Sequence, residues 1–230
     1  MRILAIDTSL PAVSVGVFDS ETPQALVRET VPMQKGHAEA LMPMIERVAA
    51  QVDGGFASLD RVAATVGPGS FTGIRIGVAA ARGIALACGV EAVGVSTLTA
   101  LAAPLLFSDE AQIVAAAIDA LHGNVYFSAY AARGRVLASP RIVGIADACR
   151  LLGAGQVVAV GSGAEALREA AKELGQELAV AERDPWPDIA AVAKLGIAAD
   201  PQTAPARPLY LKAPDVTRST KPSVLARAAP

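Results

Sequence analysis

The chain starts again half-way along its length. Ala5-Ile6-Asp7 returns as Ala117-Ile118-Asp119, and Val66-Gly67-Pro68-Gly69-Ser70 returns as Val160-Gly161-Ser162-Gly163-Ala164, in the same order and at comparable places in each half. Short matches come cheaply in a chain rich in Ala, Gly and Val, so the shared order carries the argument. An apolar run ending in Asp and followed by a glycine-rich turn, twice over, predicts two lobes built on one plan.

Local patterns fill in that plan. Residues 2–6 are apolar and β-prone, Thr8 to Ala12 offer a turn containing Pro11, and Val13 to Val17 alternate with period two, so a hairpin carries Asp7 at its tip. Gln24 to Val31 adds a third strand, after which Leu41, Ile45, Val48 and Val52 switch to helical spacing. Pro43 either sits in the first turn of a late-starting helix or kinks it. Arg61 to Val66 is a strand, Gly67 to Gly73 a turn, the next stretch a helix to about Cys88, and Glu91 to Val95 a further strand. In the second half, 113–118, 125–130 and 136–143 read as strands and 164–174 as a helix. Residues 177–180 read as a strand, and 188–198 as a last helix after the Pro185-Trp186-Pro187 breaker. The expected architecture is α/β, with mixed sheets whose later strands are parallel and which helices cover. Its divisions are a first lobe over 1–107, a reduced second lobe over 108–200 and a Pro-rich basic tail over 201–230.

Composition removes several classes of function. With 53% hydrophobic and 18% charged residues the chain can bury a sizeable core. Its 20 basic and 22 acidic residues leave a net charge of −2, without the electropositive footprint needed to grip nucleic acid alone. Cys88 and Cys149 lack any Cys-x-x-Cys spacing, which excludes a disulfide scaffold or structural zinc site. His37 and His122, the only histidines, lie in no His-x-x-x-His array, and no Gly-x-Ser-x-Gly elbow occurs, so neither a metal centre nor a nucleophile is expected. The start lacks a signal-peptide h-region. The apolar stretches 78–90 and 98–107 are interrupted by Arg82 or shorter than the roughly 20 residues that cross a bilayer, so a cytoplasmic protein without membrane contact is expected.

Three features invite chemistry. Asp7 and Asp119, each ending the first strand of its half, could face one another across a cleft and hold magnesium and phosphates, with Thr8 and Ser9 donating; either could equally be a satisfied turn residue. The 67–73 segment joins a strand to a helix, where N–H groups favour anions, or is a tight turn with Ser70 or Thr72 as helix cap. The helix after it carries Gly73, Gly77, Ala80, Ala81 and Ala85 beside Arg75 and Arg82. A glycine inside a helix costs about 1 kcal/mol relative to alanine, so its small face must serve close packing, inside the fold or against another chain. Finally, after Pro205 five basic residues (Arg207, Lys212, Arg218, Lys221, Arg227) stand against Asp215 alone, a solvated terminus or a strap that meets a partner or phosphate.

Taken together, five segments resemble one family: Ile3-Leu4-Ala5-Ile6-Asp7-Thr8-Ser9; His37-Ala38-Glu39 running to Ile45; Gly67-Pro68-Gly69-Ser70-Phe71-Thr72-Gly73-Ile74-Arg75-Ile76-Gly77; Asp119-Ala120 running to Tyr126; and Pro208-Leu209-Tyr210-Leu211-Lys212-Ala213-Pro214. The family is TsaB (YeaZ), bacterial proteins of tRNA threonylcarbamoyladenosine biosynthesis. The resemblance implies an actin-like, Hsp70-like (ASKHA) fold of two ribonuclease-H-like lobes, the second reduced. It implies a non-catalytic subunit that scaffolds and activates threonylcarbamoyl transfer to the adenosine beside the tRNA anticodon, with the catalytic relative TsaD and the ATPase TsaE as partners, tRNA reached only through the complex, and self-association as a homodimer. It places the docking surface on the helices at about 37–52 and 72–88, with His37, Leu41, Ile45, Val48, Gly73, Ile76, Gly77, Ala80, Ala81 and Ile84 as interface residues. Asp7, Thr8, Ser9 and Asp119 become a vestigial phosphate site. No cofactor is required, and ATP or ADP at a subunit junction is left open. Two departures matter: Ser96 to Leu101 offers no imidazole where TsaD has a histidine pair, and Asp119 to Asn124 lacks the arginine and glutamate frequent in the family. The alternatives are a nucleotide-dependent kinase or ATPase of the same fold, using Asp7 and Asp119, and a glycoprotease-like peptidase.

Overall fold

A computed structural model describes residues 1–22, 25–107, 113–153 and 155–211. The first half folds as β1 (Arg2–Asp7), β2 (Ala12–Asp19), β3 (Ala25–Pro32), α1 (His37–Ala50), β4 (Arg61–Gly67), α2 (Phe71–Cys88), β5 (Glu91–Ser96) and α3 (Thr97–Leu106). The second repeats this order as β6 (Ile113–Asp119), β7 (Asn124–Tyr130), β8 (Val136–Gly144), α4 (Ile145–Leu151), β9 (Val157–Val160), α5 (Ala164–Glu173), β10 (Ala179–Val180) and α6 (Ile189–Ala198). Each half forms a five-stranded sheet, ordered β3-β2-β1-β4-β5 and β8-β7-β6-β9-β10. In both, the first three strands are antiparallel and the rest parallel. The repeated plan read from the two sequence echoes is thus a repeat of topology: Val66-Gly67 ends β4, and Val160 ends the corresponding strand β9 with Gly161 directly after it.

Alternation along the strands divides the core into layers. Leu4 and Ile6 of β1 face α1 and α2, whose Leu41, Ile45, Val48, Ala81 and Ile84 fill one cluster. Ile3 and Ala5 face the opposite way, onto Ile189, Val192 and Ala193 of α6. In the second lobe α4 and α5 cover one face through Cys149 and Leu167. The other face receives Leu98 and Leu101 of α3. The third helix of each repeat therefore packs on the other repeat's sheet. α6, which the expected division at 108–200 includes in the second lobe, lies on β1, β2, β4 and β5 of the first sheet.

Some expectations are corrected. The helix containing Pro43 begins at His37, so the proline lies within it and not in its first turn. The strand expected at 177–180 is reduced to Ala179–Val180. The tail begins as packed chain: Gly94 N donates to Ala204 O (2.8 Å), Pro205 bridges to Val93, and Leu209 N donates to Val66 O (2.7 Å). Residues 212–230, with Lys212, Arg218, Lys221 and Arg227, lie outside the described residues. Helix α2 is long and apolar enough by length and composition to cross a membrane. Here its buried side packs on the first sheet, and Arg75 and Arg82 lie on its exposed side.

Candidate functional site

β1 ends in a turn that closes on itself. Asp7 is wholly buried, and its Oδ1 accepts from Ser9 N (3.1 Å), Ser9 Oγ (2.6 Å) and Thr65 Oγ1 (2.5 Å), while Oδ2 has no partner among the described residues. Burial pushes the Asp7 carboxyl above its ordinary range, against the three donors and the nearby His37, which pull it down. Thr8 Oγ1 donates to Gly73 O at 2.7 Å, and Ser70 N donates to Ser9 O at 2.7 Å. The glycine-rich segment thus presses directly on Thr8 and Ser9. A methyl group on Gly69 would collide with Ser9 O, one on Gly73 with Thr8 O and one on Gly77 with Thr8 Oγ1. Ser70, as expected, caps α2, its Oγ accepting from Gly73 N at 3.2 Å.

The corresponding turn of the second lobe differs. Asp119 is exposed and its Oδ1 accepts from Leu121 N at 2.8 Å, in a tight turn where Leu121 and His122 adopt positive φ. A phosphate and magnesium clamp needs both carboxylates in one solvent-reachable space. Asp7 is sealed and its loop is spent on backbone contacts, so these residues do not fit magnesium and phosphate, and no step is assigned to them.

The docking residues divide sharply. Leu41, Ile45, Val48, Ala81 and Ile84 belong to the first lobe's own core, and Gly73 and Gly77 are buried against Thr8. All seven are buried within this chain. Only His37, Ile76 and Ala80 retain partial exposure, and His37 Nε2 lies 3.2 Å from Leu10 O. The outward positions are instead Met42 and Glu46 on α1 and Ala79, Arg82, Gly83 and Leu86 on α2, with Leu86 85% exposed. A Cβ at Gly83 would meet nothing within 4 Å among the described residues.

Two further features escaped the sequence reading. A cleft of about 710 Å³ is lined by Arg28 and Thr30 of β3, Leu101 and Pro104 of α3, and the 182–189 connection carrying Trp186. Its signal was present in Pro185-Trp186-Pro187, which reads as a helix breaker until the fold brings it beside β3. Second, Tyr210 meets Arg75 and Phe71 at the start of α2, although 135 residues separate Tyr210 from Arg75. Only the packed strap creates that meeting.

Comparison with known proteins settles the relationship. Residues 31–228 match the family described as TsaD, tRNA N6-adenosine threonylcarbamoyltransferase. The chain belongs to this family. Its relatives include the tRNA threonylcarbamoyladenosine biosynthesis protein TsaB of Escherichia coli K12, 38% identical over 130 residues, or 56% of this chain and 55% of that protein. The TsaB of Haemophilus influenzae is 36% identical over 128 residues, covering 56% of this chain and 53% of that one. The chain spans about half the length of these curated relatives. Among solved structures, YeaZ from Pseudomonas aeruginosa superposes with a TM-score of 0.72 at 26% identity, covering 91% of this chain and 99% of that one. The TsaB (YeaZ) resemblance of the motifs therefore holds. The polyphosphate/ATP-glucomannokinase of Arthrobacter, at TM-score 0.50 and 11% identity, over 86% of this chain and 99% of that one, shares the fold alone.

Proposed function

We propose that this chain is a non-catalytic subunit that scaffolds and activates threonylcarbamoyl transfer to the adenosine beside the tRNA anticodon, with TsaD as catalytic partner and TsaE as ATPase, in the cytoplasm. The observation that carries this reading is the family match over residues 31–228, joined to curated relatives named for that biosynthesis. The sealed Asp7 turn supports a role without phosphoryl chemistry, and it disfavours the kinase or ATPase alternative. At the start of α3, where the catalytic relative is expected to carry histidines, this chain places Ser96 as helix cap, Thr97, and Thr99, whose hydroxyl lies 2.8 Å from Tyr130 OH. Depletion of the protein followed by nucleoside analysis of tRNA tests the reading. Loss of threonylcarbamoyladenosine is expected, and its persistence would overturn the function.

The same proposal places the partner on the outer side of α1 and α2, with self-association when TsaD is absent. Gly83 and Leu86 support this: one leaves open space above the helix and the other exposes a large apolar side chain beside it. Leu86→Arg and Gly83→Leu should each abolish co-purification with TsaD while leaving the circular dichroism spectrum unchanged. An intact complex with both variants would remove this surface.

A further inference from the structure

The cleft of about 710 Å³ draws its walls from both repeats, and neither the Asp7 turn, the glycine-rich segment nor the Asp119 turn lines it. Its floor is fixed and apolar. Leu101 of α3, Val160 at the end of β9 and Ile189 at the start of α6 are all buried, and Trp186 packs against the cluster that holds Leu101 and Val160. The half-buried indole, between Pro185 and Pro187 in sequence, is thus anchored on the floor while it lines the open space. A cavity of this size where two lobes meet, with an apolar base and a polar rim, has the form that ligand sites take.

The charges on the rim select the ligand. Glu182, Asp184 and Asp188 face Arg28 and Arg183 there, three carboxylates against two guanidinium groups. Asp188 caps α6, its Oδ1 accepting from Ala190 N at 2.9 Å, and it lies 3.8 Å from Arg28 Nη1. Both features that would attract an anion, a helix N-terminus and an arginine, therefore already meet a carboxylate. What is left is acidic: the side chains of Glu182 and Asp184, with Arg183, are exposed and pair with no other described residue. A phosphate-bearing ligand would face that excess. A metal ion would need the carboxylates to converge, and among the described residues no three His, Cys, Asp or Glu side chains come together closely enough to hold one. The carboxylates are instead strung along the connection on both sides of Trp186. That arrangement matches a cation whose charges are themselves spaced along an apolar body. Its ammonium groups pair with the carboxylates and lie against the indole, and its methylene groups cover the floor.

We propose that this cleft binds a linear polyamine, with Glu182 and Asp184 pairing its ammonium groups, Trp186 beside its cationic centre, and Leu101 and Val160 beneath its methylenes. The site is independent of threonylcarbamoyl transfer and of any partner chain. Because its walls come from both repeats, a bound polyamine ties the two together.

Trp186 is the only tryptophan of the chain, so its emission reads this cleft directly. Titration of the full chain with spermidine should give a saturable change in emission that magnesium chloride at equal ionic strength does not give. The shorter 1,4-diaminobutane, with one charge fewer, should bind more weakly. Glu182→Gln combined with Asp184→Asn should weaken spermidine binding about tenfold, the effect of losing two exposed charge contacts. Arg183→Gln removes a like charge and should bind spermidine at least as tightly as the parent. These positions are exposed, so the variants should keep the parent's circular dichroism spectrum and denaturant midpoint. Trp186→Phe loses the signal but keeps a ring, and calorimetry should still detect spermidine on it, more strongly than on Trp186→Ala. An absent or non-saturable emission change, or an equal one with magnesium chloride, would overturn the proposal. Unchanged affinity in the folded Glu182 and Asp184 double variant would overturn it too, because the carboxylates would then not hold the ligand. ADP binding more tightly than spermidine, and weakened by Arg183→Gln, would make the cleft an anion site and refute the polyamine.

Discussion

The hydroxyl of Thr8 occupies the space that a side chain at Gly77 would need. Thr8 Oγ1 is buried, donates to Gly73 O at 2.7 Å, and lies where a Cβ on Gly77 would collide with it. Gly73 and Gly77 of the small-residue face of α2 are thus explained inside the fold, by a helix lying directly on the end of β1.

Gly77→Ala should therefore destabilise the isolated chain. Alanine recovers up to about 1 kcal/mol of helix propensity, but overpacking at a buried hydrogen-bonded hydroxyl costs about 1–3 kcal/mol. A net loss of about 1–2 kcal/mol by denaturant titration is expected. Thr8→Ala vacates the same space, so the double variant should be less destabilised than the two single losses added together. Strict additivity would show that the two residues do not compete for that space.

Gly83 provides the contrast on the same helix. Its Cβ direction is open, so Gly83→Ala should raise the isolated chain's stability by about 0.5–1 kcal/mol in a denaturant titration at low protein concentration. A loss of stability would place an intramolecular contact where none is described.

The difference between these glycines explains what could be read from sequence. Both stand in an apolar helix, and the sequence pattern identifies that helix. It does not say whether Gly77 faces β1 or solvent, because Thr8 is 65 residues from its partner Gly73 and only the parallel pairing of β1 with β4 brings them together. The same holds for α6, whose sequence is an ordinary apolar helix and whose sheet is chosen by topology. The first three strands of each lobe, their hairpins and the glycine turns were legible because their signals are local. The short α4 and β9, with 7 and 4 residues, were not, since such lengths carry too few turns of either period. Of the candidate site, the motif residues were legible and their exposure was not: seven of the ten expected interface residues are buried within the chain.

The Asp7 carboxyl sets a pH dependence whose sign follows from its burial. Its folded pKa is raised from the ordinary 3.8, so between the unfolded and folded values the native state binds more protons than the unfolded one. Its contribution to stability is fully present below the unfolded pKa and is lost as pH rises through the folded pKa. Asp7→Asn keeps an oxygen for Ser9 and Thr65 and removes the titrating group, so it should flatten that part of the stability profile. Asp7→Ala leaves buried donors unmatched and should cost about 1–3 kcal/mol. Urea titrations from pH 4 upward would check this, and a parent profile that parallels Asp7→Asn throughout would contradict the burial argument.

Arg61 ties the exchanged helix to the lobe it covers. Its Nη1 lies 3.0 Å from Gly196 O, 3.0 Å from Ile197 O and 2.9 Å from Ala199 O, the carbonyls that the end of α6 leaves without helical partners. A fixed cation at a helix C-terminus also complements the dipole. Because Arg61 starts β4 and α6 ends the second repeat, this one side chain joins chain segments 135 to 138 residues apart. Arg61→Met keeps the stem but loses the donors, and should cost about 2 kcal/mol, a charged hydrogen bond's worth. The loss should appear as a lower denaturant midpoint with unchanged m-value, together with faster protease cleavage between Pro185 and Pro201 as α6 is released more often. Arg61→Lys returns the charge without the planar fork and should recover only part of the loss. If Arg61→Met left both stability and cleavage unchanged, the reciprocal packing of the two repeats would have to rest on the apolar contacts of Ile189, Val192 and Ala193 alone.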